Sequence, residues 1–358
     1  EYIMNRLISF AAGLILVWLI GYTLIAGRGL LIPIVMAIFI WHLLNTISTY
    51  MKHIPLIGFS IPAWVRRILA LIVLGLLVKM TVDIITNNVN EVLAASPRYQ
   101  DNLMLMLARI DDYFHIKVLA NLDNFIKTLS VQNVLVNIYG MFTSITSSAV
   151  LISLYVVFLF VEQHFFRQKL TALFPHAAHR ELVDNIITHI VIDTQTYLGI
   201  KTLLSIMTAF ASWLIMKWVG LDFAEFWALL IFFLNYIPNI GAILATAFPA
   251  LLALIQFDKW LPFIVISSGL TGIQFIIGNL IEPRYLSKSL NLSPLIILFA
   301  LAVWGAIWGV LGMFLAVPIT VMMMITFAHF DKTRPIAILL SQDGYIKKAY
   351  EKLTNRTN

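Results

Sequence analysis

Long apolar runs, rather than a short hydrophobic period, dominate this chain. Leu7 to Gly27 and Gly29 to Met51 are two of them, the second interrupted only by Pro33, His42 and Asn45. A third extends from near Ala63 to about Ile85, with Lys79 near its far end. Phe142 to Val161 carries no charge. Tyr197 to Val219 holds Lys201 and Lys217 near its two ends, where long amines snorkel to water. Trp260 to Ile281 is the sixth run. About 20 apolar residues cross a bilayer as a helix, so each run predicts one crossing.

Two further stretches are too long for that. Phe226 to Phe257 is 32 uncharged residues and Ser289 to Phe330 is 42. At ~1.5 Å per residue they would be about 48 Å and 63 Å as single helices. The hydrocarbon core is ~30 Å thick, and tilt absorbs only a few residues of excess. Each must therefore bend, break or turn back within the membrane. Single crossings would give eight spans, and re-entrant hairpins would leave six. The predicted fold is an all-α integral membrane protein of six to eight transmembrane helices, with two broken or re-entrant hydrophobic segments.

Residues 86–140 differ in character, with nine charged residues among short apolar groups. Ser96 as an N-cap and Pro97 at the first helical position predict a fresh helix start. Leu103, Leu107, Ile110 and Phe114 follow at helical spacing, then Leu122, Phe125, Ile126 and Leu129. The predicted order is transmembrane helices in 1–85, a small extracytoplasmic amphipathic segment in 86–140 and a fourth span in 141–161. A cytoplasmic amphipathic linker in 162–195, a core with broken helices in 196–330 and a basic cytoplasmic tail in 331–358 complete it.

Composition agrees with membrane residence. Only 12% of residues are charged, against roughly 25% in soluble domains. The net charge of +6 sits beside the apolar runs, as juxtamembrane anchors do, so the expected partner is the lipid bilayer and not nucleic acid. With no cysteine, disulfides and thiol-metal sites are excluded. His164, His176, His179 and His189 are irregularly spaced and lack an HExxH register, so they read as solvated side chains; no metal or cofactor is expected. The first run has spanning length and no small-residue cleavage site, so no cleaved signal peptide is expected. Lys52, Arg66, Arg67, Arg167, Lys169, Arg180 and the basic tail place both termini in the cytoplasm by the positive-inside rule. GxxxxGK[ST], HExxH and GxSxG are all absent, which argues against an enzyme.

The candidate chemistry lies in the two long runs and just after the sixth span. In "NYIPNIG", Asn235 and Asn239 flank Pro238, and Gly241 permits a sharp bend. Lipid cannot satisfy the backbone groups such a break frees, so protein or a water-filled cavity must. The asparagines either serve that structural need or present amides to a permeating solute. "WGAIWGVLGMFLAVP" carries Gly305, Gly309 and Gly312 before Pro318. Paired Gly/Pro-interrupted segments point to a transporter's site, while Gly305 and Gly309 also form a GxxxG helix-packing motif. In "GNLIEPRYLSKSLNLSP", Asn279, Glu282 and Arg284 are polar groups at a span's end. Glu282 and Arg284 cannot face each other across Pro283, so each pairs elsewhere. His42, Asn45 and Gln274 read as interhelical hydrogen bonds.

These segments, with "YLGIKTLLSIMTA" upstream, resemble the autoinducer-2 exporter (AI-2E) family of bacterial permeases over roughly residues 195–330. "NYIPNIG" and "IEPR" are intact, and Tyr197 to Thr202 resembles an exporter-like subgroup. The resemblance implies a secondary or passive transporter of the bacterial inner membrane, linked in some members to export of the quorum-sensing signal autoinducer-2 and in others to sodium/proton exchange. It also implies a homo-oligomer, with a pentamer as one form. Three functions stay open: export of a small uncharged polar metabolite, sodium/proton antiport, and a non-transporting scaffold. The antiporter would need a carboxylate within the membrane, and Glu162, Glu225 and Glu282 all lie at span ends.

Overall fold

The structure, a computed structural model, describes residues 2–52, 62–114, 140, 148–286, 292–328, 330 and 332–344. The predicted helical repeat at Leu122 to Leu129, Lys288 and the tail beyond 344 lie outside the described residues. The chain divides into two compact units.

The first unit comprises Glu1–Thr46, Val150–Leu198 and Lys288–Asn358. It holds α1 (Tyr2–Ala26), most of α2 (Arg28–Lys52) and of α4 (Ala149–Leu173), and the first half of α5 (Ala177–Val219). Leu14 to Leu19 are all at least half exposed, as expected of a helix that meets lipid rather than water. The indole of Trp41 on α2 donates to Gln163 on α4 (3.2 Å).

The second unit comprises Ile47–Ala149 and Gly199–Ser287. Its longest element is α3, Ala63–Phe114, 52 residues without a break. The helix start expected at Ser96 and Pro97 is therefore not realised, and Pro97 sits inside the helix. An interior proline costs roughly 3 kcal/mol. Two residues on, however, Tyr99 is fully buried and packs edge-on against Phe223 at 6.4 Å, burial that helps offset that cost.

Both over-long runs turn back. The first forms α6 (Ala224–Leu234) and α7 (Ile240–Gln256), 11 and 17 residues, or about 16 Å and 26 Å; neither spans the hydrocarbon core. The far ends of these arms meet. The Gln256 amide donates to the Gly220 carbonyl (2.9 Å) and accepts from the Asp222 N–H (2.8 Å). Midway along, Trp227 stacks on Phe248 at 6.3 Å. The second run, α10 (Pro294–Ala328), belongs to the first unit and is helical on either side of Gly309, whose φ 64° and ψ −142° are not helical. A Cβ on Gly305 would lie 2.9 Å from Met313 Cε, and one on Gly312 would fall onto the Trp304 carbonyl. Residues eight apart in a straight helix are ~12 Å apart along its axis, so α10 is a hairpin bent at Gly309. At its base the Ser293 N–H donates to Leu340 O (3.0 Å) at the end of α11 (Arg334–Leu340).

Outside the hairpins, the helices long and apolar enough to cross a membrane are α2, α4, α5 and the continuous stretch from α8 (Trp260–Phe275) to Tyr285, 26 residues. The last includes a π-helical turn, Ile276–Ile281, and then enters α9, Glu282–Leu286. The molecule is an all-α membrane protein with two re-entrant segments.

Candidate functional site

At the tip of the first hairpin Asn235 closes α6 and Asn239 opens α7. The tip's backbone serves itself. Ile237 N–H donates to Leu234 O (2.8 Å), Ile240 N–H to Pro238 O (2.7 Å) and Gly241 N–H to Ile237 O (3.0 Å). Pro238 has no N–H to satisfy. Gly241 is required because a Cβ there would fall onto the Leu234 carbonyl. Asn239 has φ 60° and ψ −60° and makes no side-chain capping bond. The asparagine amides are therefore not consumed in mending the break.

They face in different directions. Asn235 is 8% exposed and its Nδ2 donates to Ser205 Oγ on α5 (3.1 Å), while Asn239 is exposed. Between them the Tyr236 hydroxyl shares a hydrogen bond with Thr202 Oγ1 (2.7 Å). The α5 surface that receives the tip carries Lys201, Ser205, Thr208 and Ser212, all buried. Steps of three and four residues align them on one face. The Thr208 hydroxyl is turned onto its own helix, to Leu204 O (2.8 Å).

Lys201, one residue before the tip's partner Thr202, forms an ion pair with Glu282 Oε1 at 2.5 Å. Its side chain is 4% exposed and that of Glu282 24%, so the snorkelling expected of Lys201 does not occur. Glu282 follows directly on the π-helical turn, a local irregularity frequent at functional sites. The pair brings one positive and one negative charge together inside apolar surroundings, leaving the neighbourhood of the tip without net charge.

The sequence-predicted residues thus sort into three groups. Asn235, Pro238, Asn239 and Gly241 form one tip, with Glu282 tied to the same stretch of α5. Asn279, within the π-helical turn, and Arg284, on α9, are both exposed. Gly305, Gly309 and Gly312 shape the tip of the other hairpin, in the first unit, where Trp308 Nε1 donates to Leu24 O on α1 (3.1 Å). Sequence reasoning missed Thr202, Ser205 and Tyr236 and misread Lys201; the available signal was the Lys201–Ser205–Thr208–Ser212 spacing within an apolar helix. Among the described residues the buried His42 Nδ1 and Gln274 Nε2 find no hydrogen-bond partner, and no group of three His, Asp or Glu converges to hold a metal.

Discontinuous transmembrane helices recur in secondary transporters. The molecule has that construction, and the comparison with known proteins places it. The chain belongs to the AI-2E transporter family, whose model matches residues 7–332. The AI-2 transport protein TqsA of Escherichia coli is 28% identical over 321 residues, 87% of this chain and 89% of that protein. A putative transport protein of Borreliella burgdorferi is 32% identical over 248 residues, 68% of this chain and 67% of its own. The putative transport protein YhhT of Escherichia coli is 26% identical over 329 residues, 88% and 89% of the two chains. The protein is a multi-pass membrane transporter of a bacterial permease family.

Proposed function

We propose that the protein exports a small, uncharged, polar metabolite of the AI-2 type across the bacterial inner membrane, with the first hairpin's tip lining the path. The observation that carries this reading is Asn239: an exposed amide with no capping bond, at the tip of a hairpin whose arms are too short to cross. A hydroxyl-rich solute needs donors and acceptors without charge, and an amide supplies both. The neutralised Lys201–Glu282 pair suits the same cargo, and the similarity to TqsA favours AI-2 itself.

Two substitutions separate a solute contact from a turn residue. Asn239→Gly tolerates φ 60° and removes the amide; Asn239→Ala removes the amide and strains the backbone. If Asn239 contacts solute, both lower AI-2 efflux from expressing cells by about tenfold, the value of one ~1.4 kcal/mol interaction. Full efflux by the glycine variant would sink the reading.

Glu282 favours one alternative, sodium/proton antiport, because it places a carboxylate in a mostly buried ion pair. Sodium-dependent proton movement in inverted vesicles, lost in Glu282→Gln and never accompanied by AI-2 flux, would select it. The placement of Lys and Arg supports cytoplasmic termini, and an even count of crossings with both hairpins re-entrant then favours a cytoplasmic Glu282–Leu286. A Tyr285→Cys thiol should then react with an impermeant reagent only from that side. A homo-oligomer, a pentamer by resemblance, belongs to the same proposal and is read by native mass spectrometry.

A further inference from the structure

We propose that α11 is an interfacial strap whose outer face docks on anionic phospholipid, with Lys332 and Arg334 at the headgroup and Ile336 and Leu339 among the upper acyl chains. The proposal concerns the second hairpin and does not rest on the cargo.

The strap's position follows from the hairpin it crosses. A hairpin enters and leaves a bilayer on one side, so the two ends of α10 mark a single membrane surface. Across that mouth α11 is fastened at both ends. Just after α10, the Thr333 hydroxyl donates to Phe327 O (3.0 Å) and the Arg334 N–H to Phe330 O (2.9 Å). At the far end, the Ser293 N–H donates to Leu340 O (3.0 Å), and Leu292 and Ser341 form an antiparallel bridge in which both are buried. The seven residues of α11 extend about 10 Å, roughly the separation of two packed helices. The strap therefore reaches from one arm to the other along the surface.

The two sides of α11 differ. Ala337 is fully buried, and Ser341, four residues on, is buried with it, which fixes the inner face. Ile336, Ile338 and Leu339 are exposed, Leu339 by 75%, as is Phe330 before them. Apolar side chains left in water forgo the gain of burial, and at a bilayer surface the upper acyl chains cover such a face.

Charge names the lipid. Lys332 and Arg334 form no ion pair among the described residues, and Lys332 is exposed. In the sequence, residues 331–358 hold six basic residues against three acidic ones. Basic residues gathered just beyond a membrane helix recognise anionic headgroups, whereas a zwitterionic lipid offers them no net charge. A second copy is a poorer occupant, because 332–340 carries only positive charges and a symmetric contact would oppose like to like.

The absence of cysteine allows single nitroxide labels in the full chain, reconstituted in nanodiscs of phosphatidylcholine and phosphatidylglycerol. At Ile336→Cys and Leu339→Cys, collisions with lipid-soluble oxygen should exceed those with a water-soluble nickel chelate at least threefold. Gln342→Cys, exposed just beyond the strap, should show the reverse. Nickel in excess at both strap positions overturns the proposal. So does spin–spin broadening at Leu339→Cys that vanishes on dilution with unlabelled chain, which would seat a second copy there.

Photocrosslinking reads the headgroup. A diazirine-bearing phosphatidylglycerol should label residues 330–341 at least tenfold more than its phosphatidylcholine counterpart, since one cation near an anionic surface contributes about fivefold. Lys332→Gln combined with Arg334→Gln should abolish that preference, and Lys332→Arg combined with Arg334→Lys should keep it. Equal labelling by the two lipids, or a preference that survives the double glutamine variant, overturns the assignment. Neither readout involves efflux, so the strap and the cargo stand or fall separately.

Discussion

The first hairpin turns on Pro238, Asn239 and Gly241, the second on Gly309 and Gly312, and their surroundings differ accordingly. At the first tip, amide and phenol side chains reach a polar stripe on α5 beside a buried ion pair. At the second, Trp304 and Trp308 lie with ring centroids 5.3 Å apart, and one indole N–H reaches a backbone carbonyl. Both tips achieve a close chain reversal, but only the first sets polar side chains against a polar stripe of α5. Helix breakers in a long apolar run thus report a reversal, and the residues between the breakers decide what that reversal packs against.

The largest expected effect tests what the hairpins share. Gly241→Ala and Gly312→Ala would each drive a methyl into a backbone carbonyl that cannot swing aside. Each should cost on the order of 4 kcal/mol and deplete protease-resistant protein in the membrane. Gly272→Ala on α8, where a Cβ meets nothing within 4 Å, should accumulate normally. Normal accumulation of either tip variant would mean that its hairpin does not close as described.

Next in size, and particular to the first hairpin, is the ion pair. Glu282→Gln leaves the Lys201 ammonium buried without its counter-charge, whereas Lys201→Met leaves a carboxylate that is 24% exposed and can reach water. Breaking a buried pair costs about 3–5 kcal/mol at full burial. Glu282→Gln should therefore cost about 3 kcal/mol and Lys201→Met clearly less, with the double variant recovering part of the loss. Thermal melts in nanodiscs read the order; equal losses would place both groups in water.

The reach of sequence reasoning differs between the same regions. Run lengths of 32 and 42 residues against a fixed bilayer thickness required each run to bend, break or turn back, without choosing among these, and Pro238, Gly241, Gly309 and Gly312 marked where the interruption falls. Those are local constraints, legible in a single stretch of chain. The partner of Glu282 is 81 residues away and that of Asp222 more than a hundred, and no local pattern announces either. Lys201 had an equally good local reading as a snorkelling residue; burial by the hairpin's tip decides against it. Pro97 misled for the same reason, since packing at Tyr99 outweighed a strong helix-start signal.

Gly309→Ala sharpens the contrast between the tips. A Cβ there has open space, but φ 64° with ψ −142° is glycine's territory, so the cost is backbone strain of about 2 kcal/mol. If the second tip serves only to reverse the chain, the surviving protein should keep its AI-2 efflux per molecule. A several-fold drop per molecule would assign that tip a part in transport and erase the distinction drawn here.

The smallest effect concerns the far end of the first hairpin, where its arms meet. Tyr99→Phe keeps the packing against Phe223 and removes one hydrogen bond to Asp222, which Arg98 still engages, so it should cost about 1 kcal/mol. Its pH dependence has a definite sign. Burial, then the hydrogen bond to Asp222, pushes the Tyr99 hydroxyl up to about 12, against the opposing hydrogen bond to Arg98. A group raised above its ordinary value of about 10 contributes stability that is complete below pH 10 and lost as pH climbs through 12. Arg98 is itself held above its ordinary range, first by its hydrogen bond to Tyr99, and stays charged throughout. The advantage of the parent over Tyr99→Phe in nanodisc melts should therefore be constant from pH 7 to about 9.5 and shrink towards pH 12. A gap that widened with rising pH would mean that the phenol is not the donor to Asp222, and the end of the first hairpin where its arms meet would lose a hydrogen bond to α3.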